Sequence, residues 1–254
     1  MSELIIRCDD FGLTQGCSLG ILRAAENKCI SSVGVIVNTG VREDDASALA
    51  GLKEISIGLH MNIVAGAPLA DIADVPGLVD REGNFYTSRR YRMATSDLID
   101  TDEVETEAVA QVEAFRKLMG RDPAYIDCHS VSTPNLDSGL QRAADRFGIP
   151  YVDIRFETLG GGSELHIPTL PCNLDYVSYD PLSFVMGESS GILSHNRTIL
   201  VFHPGFLDWR LFEVSTLRES RMKDQAALSS PEFRKWLIEH EVELIPIGSE
   251  TRKR

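Results

Sequence analysis

The sequence predicts an α/β fold: a distorted or incomplete (β/α) barrel of mostly parallel strands, with its functional site at the carboxyl ends of those strands. Three observations predict it. Short β-branched, apolar runs alternate with segments of helical period along the chain. The runs are continuous rather than every-other-residue, as in strands covered on both faces. The length of 254 residues matches a (β/α) barrel, typically about 250 residues. No internal repeat, low-complexity tract or Pro/Gly-rich linker interrupts the pattern, so residues 1–254 read as a single domain.

Each element has its own signal. Leu4–Cys8 is an apolar run and the first predicted strand. Ser18–Lys28 follows as a helix, with Thr14 near its start. Ser32–Val37 is β-branched and continuous, a buried strand; Asp44–Leu52 is helical in composition; Ile55–Leu59 is the third strand. Asp102–Met119 is the clearest helix, acidic in its first turns, with Lys117 near its end and Gly120 as its stop. Ala124–Cys128 is a strand, and Leu136–Phe147 is a helix closed by Gly148. Tyr151–Ile154 and Thr198–Phe202 are strands, Pro231–His240 a helix and Val242–Ile245 the last strand.

Composition narrows the function. The net charge is −13, which repels phosphate backbones and argues against a nucleic-acid partner. No apolar run approaches a membrane span of about 18 residues, and the first residues lack the pattern of a secretory signal. The five cysteines (Cys8, Cys17, Cys29, Cys128 and Cys172) are scattered, without a Cys-x-x-Cys. A disulfide framework is therefore not expected, and a cytoplasmic protein is.

Chemistry-bearing residues cluster just beyond the predicted strands. Asp9 and Asp10 follow the first, Asn38 the second, His60 the third, His129 the fourth and His203 the Thr198–Phe202 strand. If the strands are parallel, these residues share one rim. Two imidazoles and a carboxylate can hold a divalent ion with positions left open. A second carboxylate can then take a proton from water, and a histidine can protonate a leaving group. Neighbouring Asp9 and Asp10 would face opposite ways in a regular strand, so a turn at Phe11-Gly12 is expected to bend the chain. Asp127 lies two residues before His129, on the same strand face, where it can orient a ligand imidazole.

Blander readings stand beside this one. An Asp-Asp pair is commonly a solvated turn or helix cap, and a histidine after a strand is commonly a satisfied polar residue. The coincidence on one rim leaves both a metal site and unrelated polar residues open. His166, His195 and His240 have no such placement, and Asp44-Asp45 and Asp100–Glu107 read as solvated helix starts. Gly187-x-Ser189-x-Gly191 matches a nucleophile elbow, with Asp208 and His240 as the remaining triad members. That motif needs a strand before it and a helix after it, and few residues separate it from the next strand. Gly160-Gly161-Gly162 reads as a turn.

The blocks also carry a resemblance. Asp9-Asp10-Phe11-Gly12-Leu13, Gly58-Leu59-His60-Met61-Asn62, Tyr125-Ile126-Asp127-Cys128-His129 and His203-Pro204-Gly205-Phe206, in that order, resemble the YdjC-like carbohydrate deacetylases, which include the chitooligosaccharide deacetylases. The resemblance covers nearly the whole chain. It implies a distorted barrel with a divalent metal, magnesium or zinc first and manganese, iron or nickel after. It implies Asp10, His60 and His129 as ligands, Asp9 as general base and His203 as general acid. Asn38, Asn62 and Arg155 are candidate substrate contacts. The implied reaction is hydrolysis of the acetamido group of an N-acetylated sugar, releasing acetate. The implied partners are that small molecule and, as is frequent in the family, a second copy of the chain. A serine esterase using Ser189 and a non-catalytic sugar-binding protein on the same scaffold are the alternatives.

One departure bears on the substrate. Where the family commonly has further histidines two and four residues after His129, this chain has Val131 and Thr133. A different acyl group or an acyclic amide is therefore open. The stretch from Met61 to about Thr95 shows little periodicity, as lids often do. It carries Phe85, Tyr86 and Tyr91, suited to stacking on sugars, and Arg89, Arg90 and Arg92. That basic cluster is expected either to pair with the acidic helix at Asp102–Glu107 or to bind an anionic substrate group or a second subunit.

Overall fold

The computed structural model describes residues 2–153, 165–171 and 177–248. Its strands are β1 (Glu3–Phe11), β2 (Ser32–Val35), β3 (Ser56–Met61), β4 (Ile126–Cys128), β5 (Arg197–Phe202) and β6 (Glu243–Leu244). They form one sheet in the order β4-β3-β2-β1-β5, with β6 beside the start of β1, and every pairing is parallel. Single parallel bridges extend the sheet beyond both edges, from Ile126 to Tyr151 and from Thr198 to His166. The expected strand at Tyr151–Ile154 is reduced to that bridge, and Ile154 lies outside the described residues.

Side-chain alternation along β1 separates two cores. Leu4, Ile6 and Cys8 face the main core under the helices. Ile5 faces a smaller cluster with Tyr125, Ile199 and Ile245. That cluster also takes in Val152 and Leu165, which flank opposite edges of the sheet. The sheet therefore curls around Ile5, as the barrel expectation requires.

The outer layer holds α1 (Gln15–Glu26), α2 (Glu43–Ala50), α3 (Ser88–Arg92), α4 (Thr101–Met119), α5 (Pro134–Phe147), α6 (Pro181–Met186), α7 (Trp209–Val214), α8 (Glu219–Leu228) and α9 (Pro231–Glu239). Thr14 caps α1 by accepting from the Cys17 amide, and Asp100 caps α4 by accepting from Asp102 and Glu103. None of the described helices is long and apolar enough to cross a membrane. Cys8, Cys17 and Cys29 are free thiols.

The acidic start of α4 is not simply solvated, contrary to expectation. Glu107 is fully buried and accepts from the backbone amides of Leu69 and Ala70, while Glu103 accepts from Gly77. These carboxylates replace a sheet ladder for the irregular 61–95 stretch. Phe85 and Tyr91 are buried in the main core instead of being offered to a ligand. The stretch is thus a packed excursion, clamped from below by α4.

Candidate active site

The bend that unites the two aspartates lies in β1 itself, one step before the predicted turn. β1 pairs Cys8 with Val33 and then Phe11 with Val35, so three steps on β1 match two on β2. This is a β-bulge, and Asp10 sits in it at φ +74°. A left-handed Asp is tolerated because its short polar side chain bonds locally. The extra residue lets Asp9 and Asp10 both reach the carboxyl end of the sheet. His60 is inside β3 rather than past it; His129 and His203 follow β4 and β5 as expected.

Asp10, His60 and His129 converge. Asp10 Oδ1 lies 2.8 Å from His129 Nδ1 and 3.4 Å from His60 Nε2, and the two ring nitrogens are 3.3 Å apart. Asp127 Oδ1 stands 3.0 Å from His60 Nδ1, with Nε2 turned toward the cluster. Across β2, a Cβ on Gly34 would fall 2.9 Å from Asp9 Oδ1 and 3.1 Å from His60 Cβ. Any larger residue there would push Asp9 and His60 apart.

Each aspartate of the pair has its own buried arginine. Arg221 on α8 reaches Asp10 Oδ2 at 2.6 Å, and Arg7 on β1 reaches Asp9 Oδ2 at 2.5 Å and Asp127 Oδ2 at 2.8 Å. Asp9 Oδ1 is buried without a hydrogen-bond partner among the described residues. Breaking such a buried pair from one side typically costs about 3–5 kcal/mol, because a charge is left uncompensated.

Burial and neighbouring charges act against each other across the cluster. Burial opposes charge on His60, yet the Asp127 and Asp9 carboxylates facing it raise its pKa well above the ordinary histidine value. Burial would likewise raise Asp10, but His129 and Arg221 hold it well below the usual carboxylate range. Two groups of three can bring ligand atoms within 4.8 Å of one another: Asp10, His60 and His129, and Asp9, His60 and Asp127. The second already has a cation, since Arg7 bridges its two carboxylates. In the first, one carboxylate oxygen and two ring nitrogens face each other, a donor set that fits a divalent ion.

His203 is held differently. Its backbone amide donates to Asp224 Oδ2 at 2.9 Å, and Tyr179 Oη donates to Asp224 Oδ1. Its Nδ1 is buried without a hydrogen-bond partner among the described residues. Burial, opposed by Asp10, lowers its pKa to about 4, so the imidazole is neutral near pH 7. The next residues are fastened to α1 and α8: Phe206 donates to the Gly16 carbonyl and Gly205 to the Arg221 carbonyl. A Cβ on Gly20 would fall 2.4 Å from Gly205 Cα, so only glycine lets this turn lie against α1.

The remaining candidates fare unevenly. Asn62 is fully buried; its amide donates to Asn38 Oδ1 and Ala65 O and accepts from Val64 and Ala65. Asn38 in turn donates to Ala65 and Ala67. Both amides build the loop after β3 and leave little to offer a substrate. Arg155 and Gly160-Gly161-Gly162 lie outside the described residues. Val131 is buried, and Thr133 caps α5. The nucleophile-elbow reading fails: Ser189 lies in a 3-10 turn at Glu188–Ser190, preceded by α6 rather than a strand. Asp208 caps α7, and His240 Nδ1 faces the Trp236 carbonyl.

Sequence reasoning passed over Arg7, Tyr179, Arg221 and Asp224. Arg7 did carry a signal, a charge inside an apolar run. Arg221 and Asp224 are three apart, on one face of a helix, but nothing local says which face meets the site.

Fold and site together define an α/β protein with a His/Asp cluster at the carboxyl ends of parallel strands. Residues 3–239 match the YdjC-like protein family, and the chain belongs to it. Carbohydrate deacetylase 2 of Listeria innocua is 30% identical over 250 residues, covering 96% of each chain. A carbohydrate deacetylase of Vibrio cholerae is 26% identical, covering 95% of this chain and 94% of its own. A protein of Enterococcus faecalis, provisionally named for cellobiose-phosphate cleavage, shares the fold with a TM-score of 0.80 at 21% identity, covering 98% of both chains.

Proposed function

We propose that the chain is a metal-dependent amide hydrolase that removes the acetyl group of an N-acetylated sugar and releases acetate. The observation that carries this reading is the meeting of Asp10 Oδ1, His60 Nε2 and His129 Nδ1, with the Asp9 carboxylate 3.9 Å from His60 Nε2. The names of the relatives, carbohydrate deacetylases, point to the same substrate class. Asp10, His60 and His129 would hold the ion, with magnesium or zinc, then manganese, iron or nickel, as candidates. Such an ion polarises an amide carbonyl and makes water more acidic.

The chain's own groups handle the protons. Asp9 Oδ1 takes a proton from the attacking water as oxygen adds to the acetyl carbon. His203 stands ready to protonate the leaving nitrogen as the C–N bond breaks. Because His203 is neutral in the resting protein, it must take up the proton that Asp9 removes from water before it can pass one to nitrogen. The balance is water plus amide giving acetate plus the protonated amine. Asp127 keeps His60 Nε2 turned inward throughout.

Elemental analysis of the purified protein, coupled to an acetate-release screen over N-acetylated sugars and acyclic acetamides, tests the reading. Chelation is expected to abolish hydrolysis and added divalent ion to restore it. Sugar binding without acetate release, with metal supplied, would show a binding protein instead. Val131 and Thr133 make neutral chitooligosaccharides only one arm of that screen.

A further inference from the structure

Arg7 is 3% exposed, in the middle of a strand and next to the apolar Leu4, Ile5, Ile6 and Cys8. Its two terminal nitrogens diverge: Nη2 meets Asp9 Oδ2 at 2.5 Å, and Nη1 meets Asp127 Oδ2 at 2.8 Å. Asp127 Oδ1 continues the chain of contacts to His60 Nδ1. One flat guanidinium thus ties the base candidate to the carboxylate behind a metal ligand. We infer that Arg7 is the positioning residue of this site: it anchors Asp9 by one oxygen, turns the other toward the reacting water and keeps Asp9 off the metal.

The argument is geometric and rests on the hydrolase reading above. Asp9 Oδ2 is only 3.9 Å from His60 Nε2, within reach of the cluster that Asp10 joins. A carboxylate free to rotate there would be drawn to a divalent ion and become a further ligand, no longer available as a base. The rigid fork of an arginine, unlike a point charge, fixes both the rotation and the distance. Gly34, with no Cβ, leaves room for Asp9 Oδ1, and that oxygen has no hydrogen-bond partner among the described residues.

The test compares wild type, Arg7→Met and Arg7→Lys, each loaded with zinc and, separately, with cobalt(II). For Arg7→Met we expect kcat to fall about 100-fold, the lower end of what a general base supplies, with KM within about threefold. Zinc should bind as tightly as in wild type or tighter, because a positive charge has gone and Asp9 can join the ion. The visible absorption of the cobalt form should weaken, as it does when a carboxylate raises the ligand number. Arg7→Lys should recover part of kcat. A kcat within about threefold of wild type, or zinc affinity lost in step with kcat, overturns the inference. If Arg7→Met does not fold, Arg7→Lys decides: reduced kcat with metal retained supports positioning, and full activity overturns it. Metal-loaded wild type that hydrolyses no acetamide overturns the hydrolase reading and this inference with it, whereas active wild type with equally active variants overturns the inference alone.

Discussion

The two sides of the pocket are built in different ways. On one side Asp9, Asp10, His60 and His129 come from the ends of neighbouring parallel strands, and their spacing follows from sheet register and one bulge. On the other side His203 follows β5, and everything that holds it comes from afar: Asp224 accepts from its amide 21 residues on, and Tyr179 braces Asp224 from the opposite direction. The first side is placed by backbone geometry, with α8 adding only the Arg221 that pairs with Asp10. The second depends on which face α8 turns inward. The ligand side should therefore fail all at once when one member is lost, and the His203 side should fail by degrees.

The largest effect tests the division itself. His60→Ala or His129→Ala is expected to lose the metal and, with it, all turnover. His203→Ala is expected to keep the metal while kcat falls about 10²–10⁴-fold, as for loss of a positioned acid or base. Metal content measured beside kcat separates the two sides. If His203→Ala lost metal as readily as His60→Ala, the pocket would be one cooperative unit and the comparison would break. Full activity in His203→Ala would remove it from proton transfer.

A smaller effect sharpens the His203 side. Burial lifts the Asp224 carboxyl to about 6, against the pull of Tyr179 and the His203 amide. Since an unfolded Asp titrates near about 3.9, the folded state holds this proton more tightly. Asp224's contribution to stability is then whole below about pH 4 and is lost as the pH rises through about 6. Asn mimics the protonated acid: its oxygen can accept from His203 and its nitrogen can donate to Tyr179. Asp224→Asn should therefore gain stability over wild type by about 1–2 kcal/mol more at pH 8 than at pH 5. Thermal melts at the two pH values read the difference. An equal or reversed difference would mean that the carboxylate is charged and satisfied where it stands.

The same contrast explains how much was legible in the sequence. Strand ends are readable because a strand is a short local run, and parallel order places every such end on one face. Asp10, His60, His129 and His203 follow from that alone. The bulge at Asp10 was not readable at its true position, because register belongs to the pair of strands and not to either one. Arg7 was legible in principle, since an arginine amid Leu4, Ile5, Ile6 and Cys8 must find a buried partner, but an apolar run hides it. Arg221 and Asp224 were not, because the buried face of α8 is itself largely polar and no apolar stripe in the sequence marks it. Glu107 was missed for a related reason: carboxylates near a helix start resemble solvated ones until a loop without a ladder claims them.

The smallest expected effect concerns the basic cluster, which neither side of the pocket uses. Among the described residues, no ion pair joins Arg89, Arg90 or Arg92 to the start of α4; Asp102 pairs with Arg142 instead. Arg90 lies 3.9 Å over the Tyr86 ring, Arg89 points to the Met93 sulfur, and Arg92 donates to the carbonyl and hydroxyl of Ser130, next to His129. Arg89→Ala with Arg90→Ala should cost little stability, about 0.5–1 kcal/mol for the exposed ring contact. If the cluster meets an anionic substrate group, KM for acidic acetamido sugars should rise severalfold while KM for neutral ones stays put. If it meets a second subunit, sedimentation should show a weaker dimer. No change in either measurement would leave these arginines as solvated surface, and the rim beside Ser130 would then owe its shape to Arg92 alone.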